Sequence, residues 1–155
     1  GERCHFAVPF GHWETTTMIS AIRCRGVVEG ATLIIDGPMN GPTFRDYTER
    51  CLSPSLCRGD IVVMDNLSSH RSKTAIKVIE SAGAQAIYLP PYSPDLNPIE
   101  QLWNHTKGNG VGRKTVKGPD QLKTAVINRL RSLQKLPKKI AFFFMHPDCA
   151  YIIKC

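Results

Sequence analysis

The first regular pattern in the chain is that of β-strands. Residues 15–25 are rich in β-branched side chains with partial alternation, which predicts a strand. Residues 27–35 predict a second strand, which contains a turn or bulge at Glu29-Gly30. The Asp-Gly-Pro sequence at 36–38 predicts the turn that ends it. Two neighbouring strands are therefore expected early in the fold.

Helical and strand patterns then alternate. Residues 43–52 have helical spacing, and the continuous apolar run at 61–64 is typical of a strand buried on both faces. A helix capped by Ser69 and running to about Ser81 is predicted next, followed by a short buried strand over 85–89. This alternation indicates an α/β sheet whose later strands are parallel.

A proline-rich loop precedes the helices of the last third. Four prolines between Pro90 and Pro98 predict an extended, rigid segment. Asn97 and Pro98 are residue types suited to the N-cap and first position of a helix. A glycine-rich stretch at 108–112 interrupts the pattern, and residues 119–133 carry the apolar stripe of an amphipathic helix.

Charge is concentrated in one part of the chain. The net charge of the 155 residues is +7, yet residues 1–100 hold nine basic and eleven acidic residues. Residues 101–140 hold ten basic residues and one acidic residue. Such a block suggests a polyanionic partner, with nucleic acid first, although a solvated helix face would look the same. The residues predicted to contact phosphate are Arg113, Lys114, Lys117, Lys123, Arg129 and Arg131.

Length and composition exclude several classes of protein. A chain of 155 residues with 42% hydrophobic and 21% charged residues is expected to form one globular domain rather than a disordered segment. Its longest apolar runs are too short to span a bilayer, and no secretory signal is visible, so no membrane partner is expected. The six cysteines lack metal-binding spacing, which fits buried thiols in a reducing compartment.

Two carboxylates occupy positions where α/β sheets often place functional groups. Asp65 ends the apolar run at 61–64, and Glu100 lies in the first helical turn after Asn97, with 34 residues between the two acids. Converging carboxylates suit Mg²⁺, which prefers oxygen ligands. Structural roles also explain them: Asp65 as a turn residue, and Glu100 as the partner of the Asn97 N–H in a capping box. Spacing alone favours the structural roles.

Longer sequence motifs change that balance. The sequences VVMDNLSSH at 62–70 and YLPPYSPDLNPIEQLW at 88–103 closely resemble the DDE endonuclease domain of mariner-superfamily transposases, especially the bacterial insertion-sequence branch. Residues 8–23, 36–47 and 149–151 are also similar to that branch. The resemblance covers nearly the whole chain and is most specific over residues 60–103.

The resemblance implies an RNase H-like fold, a mixed sheet flanked by helices, with an Asp, Asp, Glu metal triad. Asp65 matches the second Asp and Glu100 the Glu, and the pair would hold Mg²⁺ or Mn²⁺ in a two-ion site. The implied activity is metal-dependent cleavage and strand transfer in cut-and-paste DNA transposition. The implied partners are transposon ends, target DNA and a second copy of the chain, in a bacterial cytoplasm near the nucleoid, without a small-molecule cofactor.

The chain also departs from this family. The first Asp is expected on a first strand upstream of Gly1, and neither that strand nor the family's helix-turn-helix region is found in residues 1–155. We therefore expect one N-terminally truncated domain with impaired cleavage, or alternatively a non-catalytic remnant that binds DNA or dimerises. A different RNase H-like nuclease is disfavoured by the proline-rich loop and the 34-residue gap. His70, five residues after Asp65, either lies near the metals or phosphate or donates to a backbone carbonyl.

Overall fold

The strands of the chain pair two by two instead of forming one continuous sheet. In the computed structural model, which describes residues 15–108 and 118–152, β1 (Thr16–Arg23) is antiparallel to β2 (Gly26–Asp36). The other pair, β3 (Ile61–Met64) and β4 (Gln85–Tyr88), is parallel. The predicted mixed α/β class and parallel later strands are confirmed, but within the described residues the expected single sheet is two sheets.

The hairpin of β1 and β2 contains the irregularity that the sequence predicts. Its register runs from Thr16 opposite Asp36 and shifts between Ser20 and Ile22. Gly30 lies on β2 within this stretch, with a φ of +79° that favours glycine over any residue with a Cβ atom. The prediction of a turn or bulge at Glu29-Gly30 is therefore confirmed.

The helix predicted over residues 43–52 changes its geometry halfway. It begins as α1 (Gly41–Tyr47), capped by the Asn40 side chain, which accepts from the Thr43 N–H at 2.9 Å. A π-helical turn over Thr48–Leu52 and a 3₁₀ turn over Ser53–Ser55 follow. Buried Thr48 donates its hydroxyl to the Phe44 carbonyl at 2.8 Å, where the helix changes type.

The strands β3 and β4 are joined by the helix α2 (Lys73–Ser81), as a parallel pair requires. Ser72, and not the predicted Ser69, caps this helix, because Ser69 belongs to a 3₁₀ turn over Ser68–Arg71. The expectation that both strands are fully buried is wrong. Ile61 is 47% exposed and Ile87 is 46% exposed, so each strand has a side open to solvent.

Three helices close the fold: α3 (Pro98–Thr106), α4 (Pro119–Gln134) and α5 (Pro137–Phe144). The predicted apolar stripe of α4 is confirmed, with Val126, Leu130 and Leu133 buried. No helix was predicted over the apolar residues of α5. A short loop after Gln134 lets α5 pack against both α3 and α4.

The core consists of two clusters that share the hairpin. In one cluster Val27 packs with residues of α3, α4 and α5, and in the other Ala31 packs with α1, β3 and α2. Because Val27 and Ala31 both belong to β2, that strand supports the two halves of the fold. Across the described ranges, no helix is both long and apolar enough to cross a membrane.

Candidate functional site

Asp65 is the first residue after β3, where the chain leaves the parallel pair. Its Oδ1 accepts from the Leu67 N–H at 3.3 Å, which makes a local turn of the kind that Asp often initiates. The same oxygen lies 2.5 Å from Nδ1 of His70. The Asp65 side chain is thus held by its own loop at a strand end, and it remains about 37% exposed.

The surroundings of Asp65 favour its charged form. Burial acts to raise the pKa of this carboxyl, but the His70 contact, its charge and the Leu67 N–H together lower the pKa below its usual 3.8. The carboxylate is therefore ionised at neutral pH. An ionised oxygen at a strand end is what a hard divalent cation requires.

Glu100 is the third residue of α3, and the start of this helix is built from the predicted residues. Asn97 is 7% exposed, and its Oδ1 accepts from the Ile99 N–H at 3.3 Å. The expected capping box is wrong, because the Asn97 N–H donates to the Pro94 carbonyl at 2.9 Å. That bond comes from a 3₁₀ turn over Pro94–Leu96, and it removes the capping box as an explanation for a Glu at position 100.

The two carboxylates interact electrostatically. Burial raises the pKa of Glu100 above its usual 4.5, nearby Lys107 opposes that shift, and the charge of Asp65 raises the pKa further. Coulombic interactions weaken with distance, so the Asp65 charge lies within electrostatic range of the Glu100 carboxyl. Ionising Glu100 beside Asp65 costs free energy, which a bound cation would offset.

The donor set fits a divalent metal ion in chemical type. Asp65 and Glu100 supply carboxylate oxygens, which Mg²⁺ and Mn²⁺ prefer, and neither is neutralised by a direct Lys or Arg ion pair in the described structure. Within residues 15–108 and 118–152, no three His, Cys, Asp or Glu side chains form a group able to hold a metal. Asp65 and Glu100 are therefore candidate ligands by donor type, and the described residues group no third ligand with them.

The predicted phosphate contacts have different environments. Lys123 binds Asp36 with 2.6 Å between Nζ and Oδ2, and Nη2 of half-buried Arg129 lies 2.5 Å from Nε2 of His105. Arg131 is exposed on α4. The other three, Arg113, Lys114 and Lys117, lie outside the described residues. A role for these six residues in DNA binding stays a prediction.

Two residues near the site were not among the predicted site residues. Lys107 is the C-cap residue of α3, seven positions after Glu100, and its charge lowers the pKa of the Glu100 carboxyl. His70 was considered in the sequence analysis without a preferred role, and the structure places its ring nitrogen against Asp65. No spacing rule identifies His70, because the 3₁₀ turn over Ser68–Arg71 determines where its ring lies.

Comparison with known proteins adds a family assignment to this geometry. A family model described as DDE superfamily endonuclease matches residues 1–123. The match includes both carboxylates and the proline-rich loop between them. A search of curated proteins finds no match to the chain.

Proposed function

The chain belongs to the DDE superfamily of endonucleases, and we propose that it is the catalytic domain of a cut-and-paste transposase of the mariner superfamily. Endonucleases of this family act on DNA with the help of divalent metal ions. The observation that carries the proposal is that Asp65, which follows β3, lies close enough to Glu100, in the first turn of α3, for its charge to raise the pKa of the Glu100 carboxyl.

In this proposal Asp65 and Glu100 hold Mg²⁺ or Mn²⁺. A pair of such ions, when bound, activates the attacking oxygen and stabilises the leaving oxygen of a phosphodiester. The protein fixes the two carboxylates on elements anchored in the core. Asp65 is fixed by the Leu67 N–H and His70, and Glu100 by the Asn97 cap and by Leu102, which is fully buried two residues further along α3.

We propose an RNase H-like arrangement in which a third carboxylate completes the site. The family's first Asp would come from a strand that pairs along β3, on the side away from β4. Two features support this arrangement: in the described residues β3 pairs with β4 alone, and β1 and β3 contribute side chains to one core cluster without pairing. A strand in that position would join the two sheets into one.

The proposed partners are transposon ends and target DNA, bound by a homodimer in a bacterial cytoplasm. The block of ten basic residues over 101–140 supports a polyanionic partner. A second possibility is a remnant that binds DNA or dimerises without cutting it. It is favoured by the finding that the described residues contain no group of three His, Cys, Asp or Glu side chains able to hold a metal ion.

Nicking of supercoiled plasmid in Mg²⁺ or Mn²⁺ tests the proposal. The 155-residue chain should nick slowly, and an added N-terminal strand carrying an Asp should raise the rate. Asp65→Asn or Glu100→Gln should reduce the nicking rate of that longer chain to background. Asp95→Asn, which changes an exposed acid in the proline-rich loop, should leave the rate unchanged. The proposal would be contradicted if the 155-residue chain nicked efficiently and Glu100→Gln left that rate unchanged. Such a result would show that no third carboxylate is needed and that Glu100 has no role in cleavage.

A further inference from the structure

The Nδ1 atom of His70 is buried and makes no aligned hydrogen bond in the described structure. The polar atom within reach is Oδ1 of Asp65, 2.5 Å away. A buried polar atom without a partner is costly, so this contact decides which way the imidazole faces. The His70 side chain is only 13% exposed, against 37% for Asp65.

The rest of the His70 residue is held by neighbours on two elements. Its ring stacks against Phe44 of α1, with 4.4 Å between ring centroids and an interplanar angle of 36°. Its carbonyl accepts from the Tyr88 hydroxyl at 2.8 Å. Tyr88 in turn pairs with Met64, the residue immediately before Asp65. The imidazole therefore cannot turn away from Asp65 without breaking its stack on Phe44, and the Tyr88 bond fixes the backbone from which it projects.

Both protein contacts of the Asp65 carboxylate use the same oxygen. The Leu67 N–H donates to Oδ1 at 3.3 Å, and His70 Nδ1 contacts Oδ1 as well. Oδ2 is then the oxygen left for another ligand. A carboxylate held at one oxygen has lost most of its rotational freedom before any ligand arrives, which lowers the entropic cost of binding.

We propose that His70 is a positioning residue: it holds Oδ1 of Asp65 so that Oδ2 is presented, together with Glu100, to a divalent cation. This inference rests on the proposed function, because it assumes that Asp65 binds the metal. Groups that orient a ligating side chain typically change metal affinity by about 10- to 100-fold when they are removed. The alternative is that His70 contributes only to packing between α1 and β4.

Titration of the 155-residue chain with Mn²⁺, followed by the electron paramagnetic resonance signal of the free ion, tests the inference without measuring catalysis. His70→Leu removes the ring nitrogen that contacts Oδ1 of Asp65 and should weaken Mn²⁺ binding by about 10-fold or more. His70→Asn keeps an N–H close to the place of Nδ1 and should stay within about threefold of the parent chain. Ile79→Val, in the core cluster that contains Phe44, is the control for a general loss of stability.

Each outcome has one meaning. If His70→Leu lowers the melting temperature as Ile79→Val does but leaves the Mn²⁺ affinity unchanged, His70 only packs and the inference is wrong. Equal weakening by Leu and Asn would also overturn it. If His70→Leu fails to fold, His70→Gln, whose amide lies one bond further out, must bind Mn²⁺ more weakly than His70→Asn. The proposed function itself would be overturned if the parent chain bound no Mn²⁺, or if Asp65→Asn left its Mn²⁺ binding unchanged.

Discussion

At the scale of single residues, the two acids of the site are in opposite electrostatic situations. The pKa of Asp65 lies below its usual value because its contacts outweigh burial, whereas burial and the charge of Asp65 raise the pKa of Glu100. Ionised Asp65 therefore stabilises the fold, and ionised Glu100 destabilises it. Residues kept at a cost to stability are often those that a protein needs for its chemistry.

The substitution Glu100→Gln should stabilise the chain at neutral pH. Because the folded-state pKa of Glu100 lies above 4.5, the cost of its ionised form is present at pH 7 and disappears below the unfolded-state value. We expect thermal denaturation to show a higher melting temperature for Glu100→Gln at pH 7 and no difference at about pH 3.5. A lower melting temperature at pH 7 would show that the Glu100 charge makes a stabilising contact.

The positions of Asp65 and Glu100 could be predicted from the sequence because strand ends and helix starts leave local signals. The Asn97-Pro98 start is such a signal, and the structure confirms it. The absence of the capping box could not be predicted from such local signals. The Asn97 N–H donates to the Pro94 carbonyl in a 3₁₀ turn, and the prolines of the sequence did not predict that turn. His70 was equally hard to assign, because its contact depends on a 3₁₀ turn and on Phe44 from a distant segment.

At the scale of elements, α3 connects the site to the core. Its first turn carries Glu100, and its buried face carries Leu102 and Thr106. The Asn97 side chain bonds the Ile99 N–H, which fixes where the helix begins. Any change at this cap should therefore alter both the stability of the helix and the position of the Glu100 carboxylate.

Asn97→Ala should cost about 1 kcal/mol of unfolding free energy, within a range of about 0.5–2 kcal/mol for lost caps. It should also weaken Mn²⁺ binding, because the first turn of α3 frays and Glu100 loses its fixed position. Urea denaturation and Mn²⁺ titration measure the two effects. Asn97→Ser, which keeps a capping oxygen, should recover most of both, and a loss of equal size in the Ser variant would show that the cap is not the cause.

The strands show where element patterns mislead. A continuous apolar run predicted that β3 is buried on both faces, yet Ile61 is nearly half exposed and only Met64 falls among the buried core residues. Hydrophobicity indicates that a strand can be buried, but the neighbouring elements decide whether it is. Neighbouring elements also determine the structure of α5. Its apolar residues form a helix because that helix packs against α3 and α4.

At the scale of the whole molecule, one ion pair links the hairpin to the second sheet. Arg23, at the end of β1, donates from Nη1 to Oδ1 of Asp60 at 2.8 Å, and its Nη2 contacts the other carboxylate oxygen and the Ser55 carbonyl. Asp60, just before β3, also accepts from the Cys57 N–H at 2.7 Å. The pair thus fixes the two strands at one end, although they share no backbone pairing.

Asp60→Asn should destabilise the chain by about 1 kcal/mol, the upper end for a partly exposed ion pair. The Arg23 contact and the Cys57 N–H lower the pKa of Asp60 to about 2, so this stability is complete above the usual 3.8 and is lost as the pH falls towards 2. Denaturation at about pH 7 and about pH 2 should show a difference only at the higher pH. Arg23→Gln is the matched variant and should give a similar loss.

The uneven charge predicts DNA binding that depends strongly on salt. Each phosphate contact that is lost should reduce the slope of log K against log salt by about 0.9 on duplex DNA. Arg131 is exposed and should show this loss when changed to Gln, whereas Lys123→Gln should change the slope less, because its ammonium is bound to Asp36. Fluorescence anisotropy at several salt concentrations measures both slopes. Equal slopes for the parent chain and Arg131→Gln would exclude a contact between Arg131 and a DNA phosphate.

The open side of β3 has a consequence for the exchange of its amide hydrogens with solvent. The Asp60 and Met64 carbonyls bond the Gln85 and Leu89 N–H groups, so alternate residues of β3 face β4. The N–H groups of Ile61 and Val63 point the other way, where no described residue pairs with them. In deuterated water these two should exchange faster than those of Val62 and Met64. A strand that adds along this side would slow them, so their exchange rates report directly on whether the sheet is complete.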